Sequence, residues 1–300
     1  MDWLFELFKE PFRHEFMQRA LAACILVGFL NGFLGAFVVL RRMALMADSL
    51  SHSLLPGLAL GVLVFGSLEP SGLFLGAMCA ALLVALGAQL LSRSSRVKED
   101  TALGILYTVA FSVGLLLLSK VKVKVDLMHY LFGNILGVSA QDLWISYGIA
   151  VVVLPLLVAL QRPLQLLLFD PAVARSQGIA TGALNLVLVV SLVLVMVSSL
   201  QAVGVILLLG LLVSPAATMY LMCDSFPLML WGGGILGMVG SALGLWLSYW
   251  IQVPSGACIV LVLGSMFGCA FLFSPRYGVI WKLRTNRHFH AESLSRWKEK

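Results

Sequence analysis

Charged side chains are scarce here, at 11% of 300 residues where an ordinary soluble domain carries roughly a quarter. With 60% hydrophobic residues and a mean hydropathy of +1.00, that shortage excludes a water-soluble globular chain. Cysteine is sparse as well. Cys24, Cys79, Cys223, Cys258 and Cys269 stand singly in or beside apolar runs with no CxxC spacing. That pattern argues against a disulfide framework or a thiolate zinc site and reads as packed small hydrophobes. No G-x-x-x-x-G-K-[ST] loop and no Gly-Lys dipeptide occur, so any ATP that drives this protein binds another polypeptide. HExxH and G-x-S-x-G are missing too, and the chain is not read as an enzyme. Residues 1–16 lack the basic start of a cleaved signal: Asp2, Glu6, Glu10 and Glu15 are interleaved with Trp3, Leu4, Leu7, Phe8 and Phe12. This segment reads as an uncleaved amphipathic stretch lying along a membrane interface and broken near Pro11.

What is abundant is apolar sequence in blocks of about 20 residues, the length a helix needs to cross a bilayer, and this excludes a transmembrane β-barrel. Candidate spans lie near 17–40, 44–65, 72–92, 101–119, 141–160, 183–200, 203–222, 227–250 and 255–274. They are nine in number, or eight if the short break Gln201 to Gly204 is bridged. The fold class is therefore all-α and polytopic, with 8–9 transmembrane helices spanning 17–274, a loop at 161–182 and a basic tail at 275–300.

The net charge of +6 reports topology rather than nucleic acid. Arg41, Arg42, Arg93, Arg96, Lys98, Arg162 and Arg175, with seven more in the tail, fall in loops that the positive-inside rule places in the cytoplasm. The C-terminus is then cytoplasmic and the N-terminus outside. Lys120, Lys122 and Lys124 are the outliers. The stretch that follows them, Asp126 to Gly137, is too short to span and fits a re-entrant or surface helix. The tail, with Lys282, Arg284, Arg287, His288 and His290, suits attraction to anionic membrane lipid.

GxxxG pairs recur at Gly28/Gly32, Gly57/Gly61, Gly72/Gly76, Gly233/Gly237, Gly240/Gly244 and Gly264/Gly268, where close helix packing is expected. Pro56, Pro155 and Pro215 lie within or at the edges of spans, where they free carbonyls and permit kinks.

Ionisable groups inside a membrane are costly, so each is a functional candidate. Asp48 and His52 lie four residues apart, on one helical face, and offer an oxygen and a nitrogen to a borderline divalent cation such as Zn²⁺, Mn²⁺ or Fe²⁺. The remaining coordination positions fall to water, another helix or a symmetry mate. On residues alone two other readings stand beside this one: Asp48 as a helix-dipole partner with His52 merely hydrogen-bonded, and the pair as a proton relay. Asn31 in the first span either serves a pathway or bridges helices, and His129 is a weaker candidate for meeting an arriving metal. In the long loop, Asp170 followed by Pro171 signals a helix start and Gly178 a stop, which predicts a short docking helix.

Several passages converge. They are Gly35 to Met43, Asp48-Ser49-Leu50-Ser51-His52 with Pro56-Gly57, Val125 to Gly133, and Phe169-Asp170-Pro171 with Ala174-Arg175 and Gly178. Val203 to Leu207, Pro215 to Thr218 and Pro254-Ser255-Gly256 complete the set. Together they resemble the membrane subunit of zinc/manganese/iron-uptake ABC transporters from about residue 17 to 274. The resemblance implies an ABC importer permease fold in a bacterial cytoplasmic membrane. Two permease copies would form the pathway, two ATPase subunits would dock beneath, and an external metal-binding protein would deliver the ion, with zinc foremost and manganese or iron compatible. It assigns Asp48 and His52 to the metal path and Asp170, Pro171, Ala174, Arg175 and Gly178 to the ATPase-coupling helix, with no bound cofactor. A proton-coupled secondary carrier and an ABC permease for a metal chelate are the alternatives. Residues 1–16 and the tail lie outside the resemblance.

Overall fold

A computed structural model describes residues 10, 14–65, 70–119, 135–274, 278 and 279. Nine helices of 18 to 26 residues appear among them, each overlapping one of the apolar blocks. They are α1 (Glu15–Leu40), α2 (Ala44–Phe65), α3 (Pro70–Ser94), α4 (Glu99–Leu118), α5 (Ala140–Ala159), α8 (Thr181–Val203), α9 (Val205–Met222), α10 (Phe226–Ile251) and α11 (Ser255–Phe273). Two short helices, α6 (Gln161–Phe169) and α7 (Pro171–Ser176), lie between α5 and α8. Among the described residues seven helices are long and apolar enough to cross a membrane, and the apolar stretch of α9 is shorter, Leu207–Met222. The expected count of spans is thus approximate. The amphipathic reading of 1–16 and the lipid-facing tail fall almost wholly outside the described residues. Of the expected re-entrant segment only a 3-10 turn, Ile135–Gly137, is described.

Local chemistry sets the element boundaries. α8 and α9 are separate because Gly204 sits at φ 81, ψ 167, a conformation essentially closed to residues with a side chain. α5 starts on a capping box in which the Ser139 hydroxyl accepts from the Asp142 N–H at 3.1 Å and the Asp142 carboxylate accepts from the Ser139 N–H at 3.2 Å. The loop 161–182 is more ordered than its sequence suggests. Pro163 occupies the first turn of α6, where no intrahelical N–H is required, and Leu164 and Leu167 are buried beneath it.

The helices form two packing groups. α1 lies against α10 and α9, with α11 behind them; α2, α3 and α4 pack on one another. α8 runs between the groups, touching α5, α3, α1, α2 and α9. Lipid tails are as apolar as leucine, so close backbone approach rather than hydrophobic burial holds such helices together. The glycine stripes supply it in reciprocal pairs. A Cβ on Gly32 would stand 2.2 Å from the Gly233 carbonyl oxygen, and one on Gly237 2.2 Å from that of Gly28, so α1 and α10 cross backbone to backbone. α2 and α3 meet the same way through Gly57/Gly61 and Gly76/Gly72. Gly240 and Gly244 receive Leu263 and Ile259 of α11, whereas Gly264 and Gly268 meet nothing within 4 Å.

Candidate functional site

α2 buries Ala47, Leu50 and Leu54 and leaves the adjoining face partly open, and on that face lie Asp48 and His52. Their side chains are 50% and 40% exposed, with His52 Nε2 3.9 Å from Asp48 Oδ1. That gap is too wide for a hydrogen bond. Two metal–ligand bonds of about 2.1 Å meeting at a tetrahedral angle place their donor atoms roughly 3.4 Å apart, so a small rotamer change closes the pair on an ion. Asp48 is the fifth residue of α2, past the first turn in which a carboxylate gains most from the helix dipole.

α4 supplies the wall behind His52. Tyr107 lies stacked beside the imidazole, with centroids 6.3 Å apart and planes 30° apart, and Phe111 meets it edge-on at 6.1 Å and 88°. Pro56 adds a backbone acceptor: it has no N–H to bond the carbonyl of His52, four residues earlier, so that oxygen is released from the helix ladder. Gly114 of α4 makes room for the resulting backbone, since a Cβ there would stand 2.7 Å from Pro56 N. Among the described residues no three His, Cys, Asp or Glu side chains gather to hold a metal, and the site there consists of the Asp48 and His52 side chains. His129, His288 and His290 lie outside the described residues. Asn31 is fully buried; its amide donates to Ser199 Oγ at 2.7 Å and to the Val27 carbonyl at 2.9 Å, and so bridges α1 to α8.

The predicted docking helix is α7, six residues long. Asp170 Oδ1 accepts from the N–H groups of Ala172 and Val173, both at 3.0 Å, and Pro171 opens the first turn. Gly178, at φ +76, closes the helix: its N–H reaches the Arg175 carbonyl at 3.0 Å, and the next N–H, of Ile179, reaches that of Ala174 at 3.1 Å. This is a Schellman stop, which favours glycine. Ala174 is buried and holds the helix to the body, while Pro171, Ala172, Val173 and Arg175 are exposed. Beside it Phe169, Leu40, Leu221, Cys223 and Phe226 line a cavity of about 290 Å³, and partial burial raises the Cys223 thiol above its usual range.

Two features had no sequence signal. The Tyr107/Phe111 wall reads in sequence only as part of an apolar span. Asn185, whose amide oxygen accepts from the Arg41 guanidinium, is one of several polar residues in α8, and nothing in the sequence sets it apart from the others.

Comparisons with known proteins give the family. The model of the ABC 3 transport family matches residues 13–274. The manganese transport system membrane protein MntC of Halalkalibacterium halodurans is 40% identical over 290 residues, 95% of this chain and 98% of that protein. The chelated iron transport system membrane protein YfeD of Yersinia pestis is 37% identical over 274 residues, 91% of each chain. Among solved structures, PsaBC from Streptococcus pneumoniae in complex with Fab aligns with a TM-score of 0.79 and 35% identity, covering 91% of this chain and 97% of that one.

Proposed function

This chain belongs to the ABC 3 transport family, and from that premise we propose that it is the permease through which an ATP-driven importer moves manganese, with iron as the alternative cargo. It is a multi-pass membrane subunit of a metal-importing ABC transporter, not an enzyme, and works with an ATPase and a solute-binding protein. Zinc, foremost in the sequence reading, gains no support from relatives named for manganese and iron.

The observation that carries the site is the half-exposed Asp48–His52 pair on a membrane-length helix. An anionic carboxylate offsets part of the cost of bringing a dication into a low-dielectric path, and neutral imidazole supplies a lone pair. A second permease copy related by a two-fold axis would double the set to two carboxylates and two imidazoles, enough to strip most water from the ion. With two ligands per copy among the described residues, binding stays weak enough for release. The end of the bundle bearing Arg41, Arg93, Lys98, α7 and Ser274 is the cytoplasmic one by its basic loops, which puts the N-terminus outside. There α7 seats in the ATPase, and ATP-driven displacement opens the path alternately to each side.

The test is uptake of radiolabelled manganese, iron and zinc by cells carrying the full transporter, comparing wild type with Asp48→Ala and His52→Ala at matched membrane levels. Loss in both variants with the ATPase still bound supports the pair as ligands, and the preferred isotope identifies the cargo. Full uptake by both would return Asp48 and His52 to packing roles.

A further inference from the structure

α1 and α2 are consecutive, yet they scarcely touch; α1 packs in the α9–α10–α11 group and α2 in the α3–α4 group. The three residues between them, Arg41 to Met43, are therefore a seam between two bundles. The seam is stiff. Arg42 N–H bonds the Val39 carbonyl at 3.1 Å and Met43 N–H the Val38 carbonyl at 2.9 Å, a Schellman turn whose left-handed position is held by Arg42 at φ 57 rather than by glycine. A residue with a side chain is uncommon there, and the strain fixes the angle at which α2 departs.

The guanidinium of Arg41 does not turn to solvent. It donates to Asn185 Oδ1, in the second turn of α8, and lies 3.9 Å from Met43 Sδ of its own turn. Glu99, at the start of α4, is the carboxylate that acts on it electrostatically, and Glu99 Oε1 is buried without a hydrogen-bond partner among the described residues. Burial lowers the affinity of Arg41 for its proton and Glu99 partly restores it. Arg41 thus ties the seam to α8 by a direct hydrogen bond, and feels the Glu99 carboxylate of α4 only electrostatically.

α8 begins three residues after the Gly178 stop of α7, and α2 carries Asp48 six residues after Arg42. We infer that Arg41, pinned to Asn185, is the positioning residue that passes displacement of α7 and α8 to the helix bearing Asp48 and His52. Movement of α7 carries the first turns of α8; the Arg41–Asn185 bond carries the seam with them; the stiff turn swings α2. Without the bond, side-by-side packing of α8 on α2 and α3 is what remains to carry the movement, and α2 lags behind α8. This mechanism rests on the transport reading above.

The test uses the purified permease with its partner ATPase in proteoliposomes, supplied with the solute-binding protein, recording manganese uptake and ATP hydrolysis in the same preparation. Arg41→Gln and Asn185→Ala are expected to hydrolyse ATP within about twofold of wild type while uptake falls about tenfold or more, the scale of one charge-assisted hydrogen bond. Asn185→Asp, which gives Arg41 an anionic partner, is expected to keep transport coupled. The double variant Arg41→Gln/Asn185→Ala should transport no worse than either single one. A parallel fall in hydrolysis and uptake, unchanged uptake, or additive losses in the double variant would each overturn the joint. Wild-type vesicles that take up no manganese, iron or zinc would instead refute the transport reading, so the two failures are distinguishable.

Discussion

Replacing Gly57 with alanine separates packing from propensity at the helix that bears Asp48 and His52. The new Cβ would stand 2.2 Å from the Gly76 carbonyl oxygen, 2.6 Å from its carbon and 2.7 Å from Ala77 Cα, all backbone atoms of α3 that no rotamer change can move aside. Restoring ordinary contact requires α2 and α3 to part by about 1 Å, an overpacking of the kind that costs about 1–3 kcal/mol. His52 lies five residues from Gly57, about 7–8 Å along the helix axis, so the shift also moves the imidazole relative to its Tyr107/Phe111 wall. Gly104 of α4 is the control: a Cβ there meets nothing within 4 Å, and alanine is the better helix former by about 0.8–1.0 kcal/mol. We expect the Gly57→Ala complex in detergent to melt several degrees below wild type, roughly 2–10 °C, and Gly104→Ala to melt no lower than wild type. Manganese uptake should fall in the first and hold in the second. Equal melting temperatures for the two variants would refute the close-contact account of the α2–α3 crossing.

Gly204→Ala places a side chain at φ 81, ψ 167 and should lower stability by about 1–3 kcal/mol, read as a melting shift; an unchanged transition would mean that the α8–α9 break relaxes freely. Gly178→Ala meets no atom within 4 Å, so its cost is the left-handed backbone alone, about 1–2 kcal/mol, and the expected result is weaker binding of the ATPase in a pull-down titration. Arg42→Gly relieves the same strain in the seam, offset by greater freedom in the unfolded chain, for a net gain of about 0.5–1 kcal/mol in thermal stability. Because the Cys223 pKa is raised, its thiolate is scarcer at a given pH than that of a free cysteine. Iodoacetamide should label Cys223 more slowly than a free cysteine at pH 8, approaching it only as pH climbs above the ordinary thiol range.

The sequence speaks clearly where one residue type has one physical use. Apolar blocks of bilayer length announce the spans, and Asp170-Pro171 with Gly178 announces α7 because a cap and a stop are backbone requirements that few residues meet. The glycine stripes announce that helices approach closely but not which ones. Gly28/Gly32 finds Gly233/Gly237 some two hundred positions away, whereas Gly264/Gly268, with the same spacing, finds nothing in this chain. α6 escapes notice because Gln161-Arg162-Pro163 looks like a break, although proline is tolerated in a first turn.

Asp48 and His52 stand out as candidates because two ionisable groups at helical spacing in an apolar run are expensive to keep without a use. What surrounds them is not. Tyr107, Phe111, Gly114 and Asn185 are ordinary residues of apolar helices, and only the tertiary packing gives them neighbours: an imidazole, a proline-broken backbone and a guanidinium. Periodicity reports which face of a helix is apolar, not which helix that face meets. The proposed site, one local pair with several distant supports, is therefore half readable, and the unread half is the packing that decides how firmly the pair is held.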